Sequence, residues 1–170
     1  RRYAVICDEL SISPRGWIGH TYGREFYDLY KLPGILRVLS IIQGPEISNI
    51  GSPALRTKLP GSLITSFPWH QDSQFYGELT KFLHIITVHI PLVDTCLTNG
   101  CLKFLRGSHL KGYVPRKENT NLLIESEFDV SDYGEEVSVE ASVGDVILFH
   151  NLAFHSSGIN FSTVSYTHLR

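Results

Sequence analysis

Residues 83–92 read Leu-His-Ile-Ile-Thr-Val-His-Ile-Pro-Leu. Ile86, Val88, Ile90 and Leu92 fall on one side of an extended chain, and Ile85, Thr87 and His89 on the other. A period of two with β-branched enrichment is the signature of a β-strand. An amphipathic helix would instead repeat at three and four. Further segments of the same kind flank this one. On the C-terminal side, Thr98-Asn99-Gly100 is a hairpin-type turn into a strand over residues 101–105. Val137, Val139 and Ala141 alternate, residues 142–145 form a turn, and residues 146–150 make a short apolar strand. Residues 158–162 turn once more. On the N-terminal side, residues 47–50 and 54–59 are strand candidates, followed by a Pro60-Gly61 turn.

One segment has the other period. Leu32, Ile35, Leu36, Leu39 and Ile42 recur at three and four, which predicts a helix over residues 33–42. Pro33 suits the first turn, and Gly44-Pro45 stops the helix. Residues 3–7 could form a further strand, residues 11–23 read as loop, and residues 111–134 are polar and irregular. There is no internal repeat and no linker. The fold class is mainly β, a sandwich or barrel with the helix packed outside it, in a single domain over residues 1–170.

Composition narrows the function. The chain has 170 residues, 42% of them hydrophobic and 19% charged, as in an ordinary globular domain. A net charge of −2 gives no basic footprint for nucleic acid or anionic lipid. No apolar run is long enough to cross a bilayer as a helix, so no membrane partner is expected. Cys7, Cys96 and Cys101 are an odd set without a C-x-x-C, which argues for reduced thiols in an intracellular, cytoplasmic setting.

The eight histidines carry the chemistry. In His70-Gln71-Asp72, an imidazole and a carboxylate stand two residues apart. On an extended segment they would share a face about 7 Å apart, close enough to bind one ion. His150 and His155 follow the apolar strand at residues 146–149, where a side chain can reach into a barrel mouth. Two histidines and one carboxylate with open positions suit non-haem iron(II). They also suit zinc, although no extra Glu or His stands out as a hydrolytic base. The bland alternative is a capped surface turn at residues 70–72 and hydrogen-bonded core histidines.

Five blocks occur in order over residues 25–165. They are Pro68-Trp69-His70-Gln71-Asp72, Thr98-Asn99-Gly100-Cys101-Leu102, Gly107-Ser108-His109, Gly144-Asp145-Val146-Ile147-Leu148-Phe149-His150, and His155-Ser156-Ser157-Gly158-Ile159-Asn160. Together they resemble the phytanoyl-CoA dioxygenase family. The resemblance implies a double-stranded β-helix, a jelly-roll or cupin-like barrel. It also implies an iron(II)- and 2-oxoglutarate-dependent dioxygenase that hydroxylates a small organic or acyl substrate using dioxygen. His70, Asp72 and His155 match the metal ligands, and His150 matches a nearby non-ligand. Ser157 matches a hydroxyl residue near the 2-oxoglutarate carboxylate. His89 stands where the family commonly has a Trp beside the co-substrate. Asn99-Gly100 and Gly107-Ser108-His109 match structural segments.

The family's 2-oxoglutarate-binding arginine falls about eleven residues after the distal histidine. That position is Tyr166, and the next arginine is Arg170. Arg170 can serve only if residues 159–165 absorb four extra positions. The expectation is weak or absent 2-oxoglutarate binding and an altered or truncated end. A degenerate metal-binding barrel without turnover is the alternative function.

Overall fold

A computed structural model describes residues 24–50, 55–63, 65–115, 129–163 and 166–169. The readings at residues 3–7 and 11–23, and Cys7 and Arg170, lie outside the described residues.

The alternating segments form eight strands. They are β1 (Leu55–Lys58), β2 (Phe67–His70), β3 (Ile86–Pro91), β4 (Leu102–Leu105), β5 (Glu136–Val139), β6 (Ile147–His150), β7 (His155–Ser157) and β8 (Tyr166–Leu169). Two four-stranded sheets result, in the orders β1-β8-β3-β6 and β2-β7-β4-β5. Every strand pairing is antiparallel. Eight strands interleaved in this way across two sheets are a jelly roll. This is the expected jelly-roll architecture, and among the described residues its two sheets face one another with no strand pairing between them.

The period-three-and-four segment becomes a helix, Pro33–Gln43, with Pro33 at its start and Gly44 ending it at φ 93°. A shorter helix, Arg24–Tyr30, precedes it. These are α1 (Arg24–Tyr30) and α2 (Pro33–Gln43). Ile35 and Leu39 of α2 pack on Ile90, with Ile86, Val88 and Leu148 around them. The apolar face of β3 therefore points outward, under the helix. Its other face, Thr87 and His89, is buried between the sheets. Alternation alone identified both faces but not which one lined the interior.

Two details differ from the sequence reading. Residues 47–50 form no strand; Ile47 instead packs against the α2 cluster. The β3 strand starts at Ile86, because residues 78–82 are a 3₁₀ turn that delivers the chain to it. Inside the sandwich, Leu102, Phe149 and Ala153 pack with Phe104 and Ile147. A second cluster, Leu105, Val114 and Phe154 with Trp69 and Tyr133, closes the outer side of the other sheet.

Candidate metal centre

His70 ends β2 and His155 begins β7, and the two are register partners. Phe67 pairs with Ser157, so three steps along β2 match two along β7, and the extra residue is a bulge. Asp72 does not lie on the extended segment assumed above. It adopts α-helical angles, φ −59° and ψ −33°, as the chain turns into a short helix, α3 (Ser73–Tyr76). That turn, and not strand parity, brings the carboxylate back onto the histidines.

One donor atom from each of His70, Asp72 and His155 lies within 4.8 Å of the others, and all three residues are buried. Asp72 Oδ1 is 3.9 Å from His70 Nε2 and 3.5 Å from His155 Nε2. His70 Nδ1 is 2.7 Å from the carbonyl of Pro68, and His155 Nδ1 is 3.0 Å from that of Ala153. A carbonyl only accepts, so each Nδ1 carries a proton, and in the neutral ring Nε2 presents its lone pair. Thr87 Oγ1 donates to Asp72 Oδ2, which leaves Oδ1 turned to the histidines. Hydrogen bonds of this kind orient ligands for an ion. Burial pushes the His155 imidazole down to about 4, against a small upward pull from the Ala153 carbonyl. It is thus neutral and ligand-ready at ordinary pH.

Aromatic rings wall the centre. Phe104 and Phe149 lie with centroids 5.8 and 4.6 Å from the His155 ring, and Phe75 meets His70 edge-on at 5.3 Å. His89 is buried on the inner face of β3, and burial followed by the nearby His155 pushes it down to about 3. Ser157 is buried two residues beyond His155 on the same face of β7. His150 stands apart: its Nδ1 accepts from the Leu152 amide, and its ring lies between His84 and His109.

Several residues that build the site were not singled out from the sequence. Gln71, between the two ligands, is fully buried. Its amide donates to the carbonyls of Gly112 and Leu152 and accepts from the Val114 amide. Asn151 donates to Ser73 Oγ and the Thr80 carbonyl, tying α3 to the β6–β7 turn. Arg56 and Lys58 lie on β1. The Arg56 guanidinium sits 5.1 Å from the Phe67 ring centroid, and Lys58 is 1% exposed. A signal existed for these two: they are charged residues with strand parity inside the 54–59 segment.

Known proteins resemble this chain in sequence and fold. The family described as Phytanoyl-CoA dioxygenase (PhyH) matches residues 35–165. The human protein "Phytanoyl-CoA dioxygenase, peroxisomal" is 26% identical over 144 residues, covering 81% of this chain and 42% of that one. "Phytanoyl-CoA dioxygenase 1" of Oryza sativa subsp. japonica is 29% identical, with 80% and 43% covered. A solved structure described as "non-heme monooxygenase; ThoJ apo" has a TM-score of 0.70 at 26% identity, covering 85% of this chain and 52% of that one. The chain thus spans about half the length of these proteins, or less.

Proposed function

The chain belongs to the phytanoyl-CoA dioxygenase family, and from that premise we propose that it is an iron(II)- and 2-oxoglutarate-dependent oxygenase hydroxylating a small organic or acyl substrate. The observation that carries this reading is the convergence of His70, Asp72 and His155, with both histidines held in the ligating tautomer. Two imidazoles and one carboxylate fit iron(II) with positions left open. When bound, iron, 2-oxoglutarate and dioxygen supply the oxidising power for C–H hydroxylation, and 2-oxoglutarate leaves as succinate and carbon dioxide.

The chain's own residues do the rest. The Pro68 and Ala153 carbonyls fix the two rings, and Thr87 fixes the carboxylate. Phe75, Phe104 and Phe149 exclude water from the centre. We place the protein inside the cell, a reading supported by the free thiols of Cys96 and Cys101. Among the described residues no helix is long and apolar enough to cross a membrane.

A second reading is a metal-binding jelly roll without 2-oxoglutarate turnover. It is favoured by Tyr166, which stands on β8 where the family pattern expects a cation. Anaerobic titration with iron(II) and then 2-oxoglutarate separates the two. The oxygenase shows the visible charge-transfer band of the chelate, and succinate forms once air is admitted. Iron binding with neither signal would establish the second reading.

A further inference from the structure

We propose that Cys96 and Cys101 form a redox modification site: a small-molecule disulfide is attacked by the Cys96 thiol, and Cys101 resolves the adduct into an internal disulfide.

The local sequence sets the geometry. Cys96 stands at the N-cap of a one-turn 3₁₀ segment, Leu97–Asn99, a position that Ser, Thr, Asp or Asn usually fills. Gly100 follows in the left-handed conformation, at φ 84°, and turns the chain back. The Cys101 amide then donates to the Cys96 carbonyl at 3.0 Å. That hydrogen bond limits how far apart the two cysteines can be. Standard bond lengths put their Cα atoms at most about 6.9 Å apart, and any bend at the amide or carbonyl brings them closer. Disulfides take Cα separations of about 4.4–6.8 Å. The two side chains therefore leave the two ends of one closed turn, at a spacing a disulfide can bridge.

The two thiols are unequal, which sets the order of attack. Cys96 Sγ lies 3.0 Å from Thr98 Oγ1 and accepts from the Asn99 amide. The Asn99 side chain locks the turn, accepting from the Cys96 amide at 2.7 Å and donating to the Asp94 carbonyl at 2.8 Å. Hydrogen bonds from Thr98 and Asn99 favour the thiolate and hold Cys96 below the usual thiol range, with Glu140 opposing them more weakly. Cys96 is also partly exposed. Cys101 is 1% exposed. Burial pushes its thiol up, followed by Glu140 and by Cys96 across the turn, against a weaker pull from Lys103 and Lys58. An accessible thiolate beside a buried thiol suits an attacking and a resolving cysteine.

The chemistry is two exchanges. The Cys96 thiolate attacks one sulfur of the small disulfide, an S–S bond forms to Cys96, and the other half leaves as a thiolate. Cys101 loses its proton to solvent and attacks the Cys96 sulfur, the internal S–S bond forms, and the second half leaves as a thiolate. Two protein thiols are oxidised, and one small disulfide is reduced to two thiols. The stapled turn supports the chain that leaves β7. The Thr98 carbonyl accepts from the Phe161 amide, and the Gly100 backbone lies against that of Gly158.

The probe is oxidised glutathione, added to the full native chain and quenched in acid. The tryptic fragment 82–103 carries both cysteines and excludes Cys7, and its mass is read without reduction. The wild type should yield this fragment short of two hydrogens and free of glutathione. Cys101→Ala should instead accumulate glutathione on Cys96. Cys96→Thr, which keeps an N-cap oxygen, should leave Cys101 reduced. Glutathione persisting on wild-type Cys96, a link from either residue to Cys7 or to a second chain, or no reaction at all would each overturn the proposal. Alkylation by iodoacetamide separates the effect of the fold from mere proximity in sequence. In the native chain Cys96 should react at least about tenfold faster than Cys101, with a pH midpoint below the one found in urea. Thr98→Val should raise that midpoint. Equal rates, or a midpoint that urea leaves unchanged, would also overturn the proposal. If Cys101→Ala fails to fold, the wild-type fragment and the alkylation rates decide.

Discussion

His70 and His155 face one another across a single rung of the β2–β7 pair, their ring centroids 4.1 Å apart. Two imidazoles this close, both buried and with Asp72 Oδ1 within 3.9 Å of each Nε2, form a site that protons or a metal ion would enter. The first expectation follows from that arrangement. Asp72→Ala should fold, because it removes a fully buried carboxylate, but should lose iron affinity. Thr87→Val, which only frees the carboxylate to rotate, should cost about 10–100-fold in affinity. His150→Ala should leave affinity unchanged. Titration with iron(II) under anaerobic conditions measures all three, and a large loss in His150→Ala would mean the wrong histidine has been assigned.

Gln71 should matter for stability as much as its neighbours matter for metal. Gln71→Leu strips partners from the Val114 amide and from the carbonyls of Gly112 and Leu152. Buried groups left unsatisfied cost about 1–3 kcal/mol each, so a loss of about 3 kcal/mol or more is expected in urea unfolding. Gln71→Glu should not rescue it, since a carboxylate can accept from Val114 but cannot donate to the two carbonyls. A loss below about 1 kcal/mol would show that the network is dispensable.

Gly100 sits at φ 84°, and a Cβ there would lie 2.5 Å from the Gly158 carbonyl oxygen. Both the left-handed backbone and the backbone contact oppose a side chain. Gly100→Ala should lower stability by about 3 kcal/mol, read as a drop in the denaturant midpoint with an unchanged slope. Gly107→Ala is the control. It is also left-handed, at φ 73°, with nothing within 4 Å, and should cost less.

The metal-free protein should lose stability as pH falls. Burial holds His155 at about 4 and His89 at about 3, against about 6.5 in the unfolded chain. Between about pH 4 and 6.5 the unfolded state therefore binds more protons, and stability rises with pH. Each histidine should cost about 3 kcal/mol by pH 4, and almost nothing above about pH 7. Urea midpoints at pH 7, 6 and 5 with a chelator present measure this. His89→Gln should flatten the curve by about one proton, and an unchanged slope would contradict the buried neutral state.

The fold was legible wherever local pattern and global role agree. Ile86, Val88 and Ile90 alternate with Thr87 and His89 because one face takes the helix and the other the site. The Pro33–Gln43 helix was readable from spacing and from its two breakers. Residues 47–50 misled because Ile47 is apolar for packing on α2, not for pairing. The His70–Asp72 pair was found for a reason that does not hold. Strand parity suggested it, whereas a bulge and a helical turn produce it. Gln71 and Asn151 were illegible as site residues, since their partners lie about 40 to 80 positions away. No local period records such contacts.

The strand order has a consequence for the order of events during synthesis. β1 has one strand neighbour among the described residues, β8, and β8 also fills the gap between β1 and β3. A ribosome delivers β1 more than a hundred residues before β8. During that interval β1 lacks the strand it pairs with among the described residues, and the β3 edge that β8 will take stays open, which is the condition under which strands pair with the wrong chain. The described sheet is complete only when β8 slides between β1 and β3. Its completion is therefore a late, all-at-once step, and until then β1 has no fixed address.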